Sequence, residues 1–128
     1  MFYLTKIENG RMNVPEPEYL PAGTTAINEG ETLTLASGKL VLNTAAPTFI
    51  ALAGAAANAE SVPVCRIEKN QVYSVPCSVA PTSAFVPGAK LAVASDGLQV
   101  GAASDSGAVT IVQTLGAKAV GDHILVRF

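Results

Sequence analysis

The chain has 128 residues, with 8 Lys and Arg against 10 Asp and Glu and a formal net charge of −2. The basic residues stand singly and never cluster, which argues against a nucleic-acid-binding protein. Charged residues make up 14% of the chain and hydrophobic residues 49%, so a single domain can bury a core and hide part of its surface against a partner.

The first 28 residues are predicted to form an extended, proline-rich arm. Residues 12–23, MNVPEPEYLPAG, carry three prolines and no apolar periodicity. Each proline fixes its own φ and favours extended geometry in the residue before it. We therefore expect neither a helix nor a central strand here. A disordered linker is the alternative, but a solvated linker has no need for the apolar side chains of Val14, Tyr19 and Leu20.

From residue 29 onward the sequence predicts an all-β domain built from short antiparallel strands. The predicted strands are residues 32–35, 39–42, 49–52, 62–67, 72–79, 90–94, 98–100, 108–115 and 123–128. Turn residues recur about every 8 to 12 residues, as in sandwiches and small barrels. Parallel βαβ crossovers would need long amphipathic helices, and the pattern contains none. A small β-barrel, a β-tulip or a sandwich is expected over residues 29–128.

Three hairpins are predicted from turn residues. Ser37-Gly38 connects the first, the polar tip EKNQ the second, and Ser95-Asp96-Gly97 the third, which has the strongest local signal. In the second hairpin Cys65 and Cys77 would face each other across the strands. Both are expected to stay reduced in the cytoplasm. The Ala-rich residues 53–60 could form one or two helical turns, although Gly54 and Asn58 disfavour them.

Residues with the chemistry of an active site are sparse, and the sequence predicts no enzyme. The single histidine, His123, has no partners at a metal-ligand spacing, so no metal site is expected. A pair of Cys65 or Cys77 with His123 would be the one nucleophilic candidate, but both cysteines lie in apolar runs typical of inert core thiols. No serine has nucleophile-elbow flanks and no glycine-rich phosphate loop is present. We therefore predict no catalytic residues and no cofactor.

The location of the protein is predicted from what the chain lacks. No apolar run reaches the length of a membrane helix, and the N-terminus lacks the order of a signal peptide. Synthesis in the cytoplasm and no membrane partner are therefore expected.

Seven segments together resemble a known family. They are RMNVPEPEY from Arg11, GETLTLASGKL from Gly30, PTFIA from Pro47, VPVCRI from Val62, PGAKL from Pro87, DGLQV from Asp96 and VGDHILVRF from Val120. In order and spacing, over nearly the whole chain, they are similar to small β capsid decoration, cement or head-fibre proteins of tailed bacteriophages. The two cysteines and the Ala-rich segment depart from the pattern of that family.

The resemblance implies a homotrimer on the outer surface of a capsid, where it binds the major capsid protein and reinforces the junctions between capsomers. The N-terminal arm would reach neighbouring coat subunits. The residues assigned to this capsid-binding arm are Val14, Pro15, Glu16, Pro17, Glu18, Tyr19 and Leu20. Without residues 1–23, the remaining domain is expected to fold but to leave the capsid.

The alternative is a virion-exposed module that binds a host surface or a carbohydrate. Sugar-binding surfaces usually present exposed aromatic rings. The chain has no Trp and three Tyr, so this interpretation ranks second.

Overall fold

The computed structural model describes residues 1–8 and 15–128 and contains eleven strands and no helix in those residues. The strands are β1 (Tyr3–Ile7), β2 (Glu18–Leu20), β3 (Thr32–Ala36), β4 (Lys39–Leu42), β5 (Phe49–Ala51), β6 (Val62–Arg66), β7 (Gln71–Pro76), β8 (Lys90–Val93), β9 (Val100–Ala103), β10 (Val109–Gln113) and β11 (His123–Arg127). The all-β prediction is confirmed. The Ala-rich residues 53–60 form turns and bends without a helical turn.

The strands form two antiparallel sheets rather than one closed barrel. The six-stranded sheet has the order β1-β7-β11-β10-β8-β9, and the five-stranded sheet has the order β2-β6-β5-β3-β4. Both sheets curl. Ala22, just after β2, bridges Leu40 on β4, and Cys77, just after β7, bridges Val100 on β9.

The two sheets repeat one topology, which the sequence analysis did not predict. If β1 is set aside, each sheet contains five consecutive strands in the spatial order first, fifth, fourth, second, third, and the residues after the first strand return to the third. We call residues 15–67 the first unit and residues 71–128 the second unit. β1 is added to the outside of the second unit, against β7.

The equivalence of the units extends to single backbone hydrogen bonds. Gly30 N–H donates to the Ala51 carbonyl, and Gly88 N–H donates to the Ile111 carbonyl, each at 2.8 Å. Both glycines have positive φ, 75° and 90°, which favours glycine over residues with a Cβ. The same local geometry therefore begins the hairpin of each unit.

Equivalent positions also form the core. The buried pairs, first unit before second, are Leu33 and Leu91, Leu40 and Val100, Phe49 and Val109, Ala51 and Ile111, Val62 and Ile124, and Val64 and Val126. Each unit thus has its own hydrophobic cluster. Ile50 of the first unit packs into the cluster of the second, and Thr32 N–H donates to the Gly97 carbonyl at 2.9 Å. These two contacts connect the units.

Two of the three predicted hairpins are confirmed. β3 and β4 pair across Ser37 and Gly38, which both have positive φ (50° and 77°), as a tight two-residue hairpin turn requires. β8 and β9 also pair, but β9 begins at Val100 instead of residue 98. Asp96 Oδ1 accepts the Leu98 N–H at 2.9 Å, and this contact keeps residues 94–99 in the connecting loop.

The predicted second hairpin is wrong, because β6 and β7 belong to different sheets. Gln71 fixes the sharp change of direction between them and is itself buried. Its Oε1 accepts the Glu68 N–H at 2.9 Å and the Tyr73 hydroxyl at 2.7 Å, and its Nε2 donates to the Arg66 carbonyl at 3.2 Å. Cys65 and Cys77 therefore do not face each other across a hairpin.

Gln71→Leu is expected to lower the free energy of unfolding by about 1–3 kcal/mol, because it leaves the buried Tyr73 hydroxyl and partly buried backbone groups of residues 66 and 68 without these partners. Chemical denaturation measures this change. The double variant with Tyr73→Phe removes one of the orphaned groups and should recover part of the loss. A Gln71→Leu variant as stable as the wild type would contradict this role for Gln71.

The described residues that precede residue 29 contribute a strand to each of the two sheets. β1 pairs with β7, and Phe2 is 2% exposed within the core of the second unit. β2 pairs with β6, and Ala22 and Ile27 are buried in the core of the first unit. The prolines did not prevent strand formation, because β2 contains none of them: Pro17 precedes the strand and Pro21 follows it.

Candidate interaction surface

The described residues among those assigned to capsid binding, 15–20, lie on two opposite faces of one extended segment. Pro15 and Pro17 line a cleft, and Tyr19 is 65% exposed. Glu18 accepts two hydrogen bonds from the Arg66 guanidinium, at 2.7 and 2.9 Å. Of the others, Leu20 packs against the core of the first unit, Glu16 is exposed, and Val14 lies outside the described residues.

The backbone of Tyr19 points away from its own sheet. Tyr19 stands opposite Pro63 on β6, and Pro63 has no N–H. The Pro63 carbonyl accepts the Leu52 N–H at 2.9 Å, on the side of β5. Opposed residues in an antiparallel pair exchange either both hydrogen bonds or neither. The N–H and C=O of Tyr19 are therefore directed to the outer edge of β2, where no described strand pairs with them.

The equivalent edge in the second unit is occupied. The residue equivalent to Tyr19 is Ser74 on β7, and Ser74 pairs with Tyr3 of β1. The fold therefore already contains one antiparallel strand added at this position. The outer edge of β2 is the counterpart of that edge.

An apolar cleft of about 370 Å³ lies beside this edge, between the two units. Its walls are β1 with the residues before it, Pro15 and Pro17, and the face of the five-stranded sheet that carries Ile50 and Cys65. Tyr73 belongs to its lining, while Tyr3 (48% exposed) and Leu52 (43% exposed) lie partly in solvent. Exposed apolar surface next to a concave site is typical of interaction surfaces.

Within residues 1–8 and 15–128, no hydrogen bond joins either cysteine to the histidine. Burial raises the pKa of both thiols, Cys65 and Cys77, which keeps them protonated and weakly nucleophilic. His123 is exposed on β11 and its Nδ1 lies 3.1 Å from the Ser74 hydroxyl. The nucleophilic pairing considered from the sequence is not assembled by these side chains.

Among residues 1–8 and 15–128, no three potential metal ligands of the His, Cys, Asp or Glu type converge. Within the same residues, no helix has the length and apolar character needed to cross a membrane.

Comparison with known proteins adds no relative: no protein-family model, no curated protein and no solved structure matches the chain.

Sequence reasoning identified Tyr19 and the prolines but missed the other wall of the cleft. Tyr3 and Leu52 contribute to it only because β1 lies against β7 and β5 lies beside β6. These pairings join residues far apart in the chain, and no local pattern predicts them. The one local signal for β1 was the run of four apolar residues at positions 1–4 of the chain.

Proposed function

We propose that this protein is a structural interaction protein of a tailed bacteriophage, which decorates the outer surface of the capsid and stabilises capsomer junctions. The class comes from the family resemblance of the sequence. The observation that supports the binding role is the outer edge of β2, where Tyr19 exposes both its ring and its backbone hydrogen-bonding groups.

Binding would occur by strand addition. An extended segment of the major capsid protein would pair with the outer edge of β2, as β1 pairs with β7. The prolines at positions 15 and 17 limit how many hydrogen bonds that edge can make, which protects it from indiscriminate pairing. The Tyr19 ring would supply the apolar anchor that such contacts usually need.

The oligomer we propose is a homotrimer, which would bind three coat sites at once and gain avidity from them. Light scattering on the purified chain tests this directly. We expect a mass three times the 13.0 kDa of the chain. A monomer that remains monomeric when bound to capsids would contradict the trimer.

Tyr19→Asp tests the binding role. Because the side chain is mostly exposed, the variant should fold normally, but capsid binding should weaken at least about tenfold, since aromatic anchors dominate such interfaces. The measurement is co-sedimentation with heads, stripped of this protein, of the phage that encodes it. Val120→Asp is the matched control, because Val120 is 62% exposed in the loop before β11 of the second unit.

Two results would contradict the proposal. One is wild-type protein that does not bind the stripped heads. The other is Tyr19→Asp protein that binds them as tightly as the wild type does. A host-surface or carbohydrate module would instead bind a glycan array and leave the heads undecorated.

A further inference from the structure

The cleft beside β2 is large enough to take an apolar side chain of a partner. Its volume of about 370 Å³ is at the lower end of ligand sites in general. Its apolar walls come from both units and from the N-terminal residues around β1: Phe2, Tyr3, Leu4, Ile50, Leu52 and Tyr73. A leucine or phenylalanine side chain placed there would be surrounded by apolar groups on several sides.

The cleft is lined by one charged side chain and by Met1, whose positive α-amino group is attracted by Asp96. Glu29 is the only charged side chain among the lining residues that the structure describes. It is exposed, and it forms no salt bridge within the described part of the chain. A basic group on the partner would complement this carboxylate, whereas an acidic group would be repelled.

The strand edge next to the cleft sets the conformation of the partner. The outward N–H and C=O of Tyr19 can pair with an extended backbone, and Pro17, two residues earlier on the same face of the segment, lines the cleft. In an extended strand, alternate side chains point to the same face. A strand paired with this edge would therefore direct one side chain toward the cleft.

From these three observations we infer that the cleft binds an apolar side chain of an extended partner segment in which a neighbouring residue is Lys or Arg. The inference rests on the proposed function, because it describes the partner segment at that same edge. It adds the sequence character of the segment: an apolar anchor next to a positive charge.

Synthetic peptides test the inference without the capsid. The probe is a fluorescent nine-residue peptide of Thr and Ser with a central Leu between two Lys. Its two comparison peptides replace both Lys by Glu, or the Leu by Ser. In fluorescence anisotropy we expect the wild-type protein to bind the Lys–Leu–Lys peptide at least about fivefold more tightly than either comparison peptide.

Charge reversal at the cleft provides the decisive variant. Glu29→Lys should reverse the preference, so that the Glu-flanked peptide binds more tightly than the Lys-flanked one. Glu60→Lys is the matched control, since Glu60 is equally an exposed glutamate but is absent from the lining of the cleft. That variant should keep the wild-type preference. Leu52→Glu, at a partly exposed position of the wall, should abolish binding of the Leu peptides.

Three results would overturn the inference: no preference for the Lys-flanked peptide, no requirement for its Leu, or an unchanged preference in Glu29→Lys. Wild-type binding to capsids together with any of these results would leave the decoration function standing without this cleft. The expected peptide preference with no capsid binding would support the cleft chemistry and remove the coat protein as its partner.

Discussion

Phe2→Ala is expected to lower the free energy of unfolding by about 3–5 kcal/mol, the usual cost of removing a fully buried aromatic side chain. The Phe2 ring packs against Tyr73 and Phe128, at centroid distances of 6.4 and 5.3 Å. This cluster holds β1 against β7. Urea denaturation followed by circular dichroism measures the loss.

Tyr3→Ala is the matched control for Phe2→Ala. Tyr3 is the next residue in the chain and the first of β1 but is 48% exposed, so the variant should cost less than about 1 kcal/mol. Equal losses for the two variants would contradict the role of Phe2 as a core residue.

The position of Phe2 also changes how truncations must be designed. The sequence predicted that the chain without residues 1–23 would remain folded, but that deletion removes β1, β2 and the buried Ala22. Loss of capsid binding by such a fragment would not separate docking from unfolding. Point substitutions at exposed positions, such as Tyr19→Asp, keep the two effects apart.

Local turn chemistry explains which elements the sequence could predict. The β3–β4 and β8–β9 hairpins depend on Ser37-Gly38 and on Asp96-Gly97, whose conformations are determined within a few residues. The β6–β7 connection has the same outward pattern, two apolar runs and a polar tip. This connection is not a hairpin, because the Gln71 side chain turns inward and forms hydrogen bonds with the loop backbone. The sequence alone does not show whether a polar side chain in such a loop points inward or into solvent.

The repeated unit was the largest feature that local reasoning missed. A signal for it does exist, since Gly30, Leu33, Ala36 and Ser37 recur as Gly88, Leu91, Ala94 and Ser95 with the same spacing. The remaining equivalent positions keep apolar character but not identity, such as Phe49 with Val109. Because a core position needs volume and apolarity rather than one residue type, the topology can repeat where the sequence has diverged.

The candidate surface was predictable only on one side. The prolines and Tyr19 are neighbours in the chain, so their composition alone suggested an extended, interacting segment. The opposite wall of the cleft needs Phe2 and Tyr3 to reach Ile50 and Leu52, and that requires both sheets to be in place. Contacts of this long range are determined by tertiary packing and leave no local signature.

The repeat makes a quantitative prediction about stability. Leu33→Ala and Leu91→Ala remove equivalent, fully buried side chains from the two unit cores, and each should cost about 2–5 kcal/mol. Because Ile50 and the Thr32–Gly97 hydrogen bond connect the units, we expect both variants to unfold in a single transition. In a Tyr3→Phe, Tyr19→Phe background, the fluorescence of Tyr73 in the second unit and the far-ultraviolet circular dichroism of all strands should coincide. Leu35→Ala, on the same strand as Leu33 but 42% exposed, controls for the loss of a leucine as such.

If Leu33→Ala separated the two signals into two transitions, the units would be independent domains that share a topology. Coincident transitions with similar losses would instead mean that two equivalent cores act as one cooperative fold, which is what an interaction surface built across the junction of the units requires.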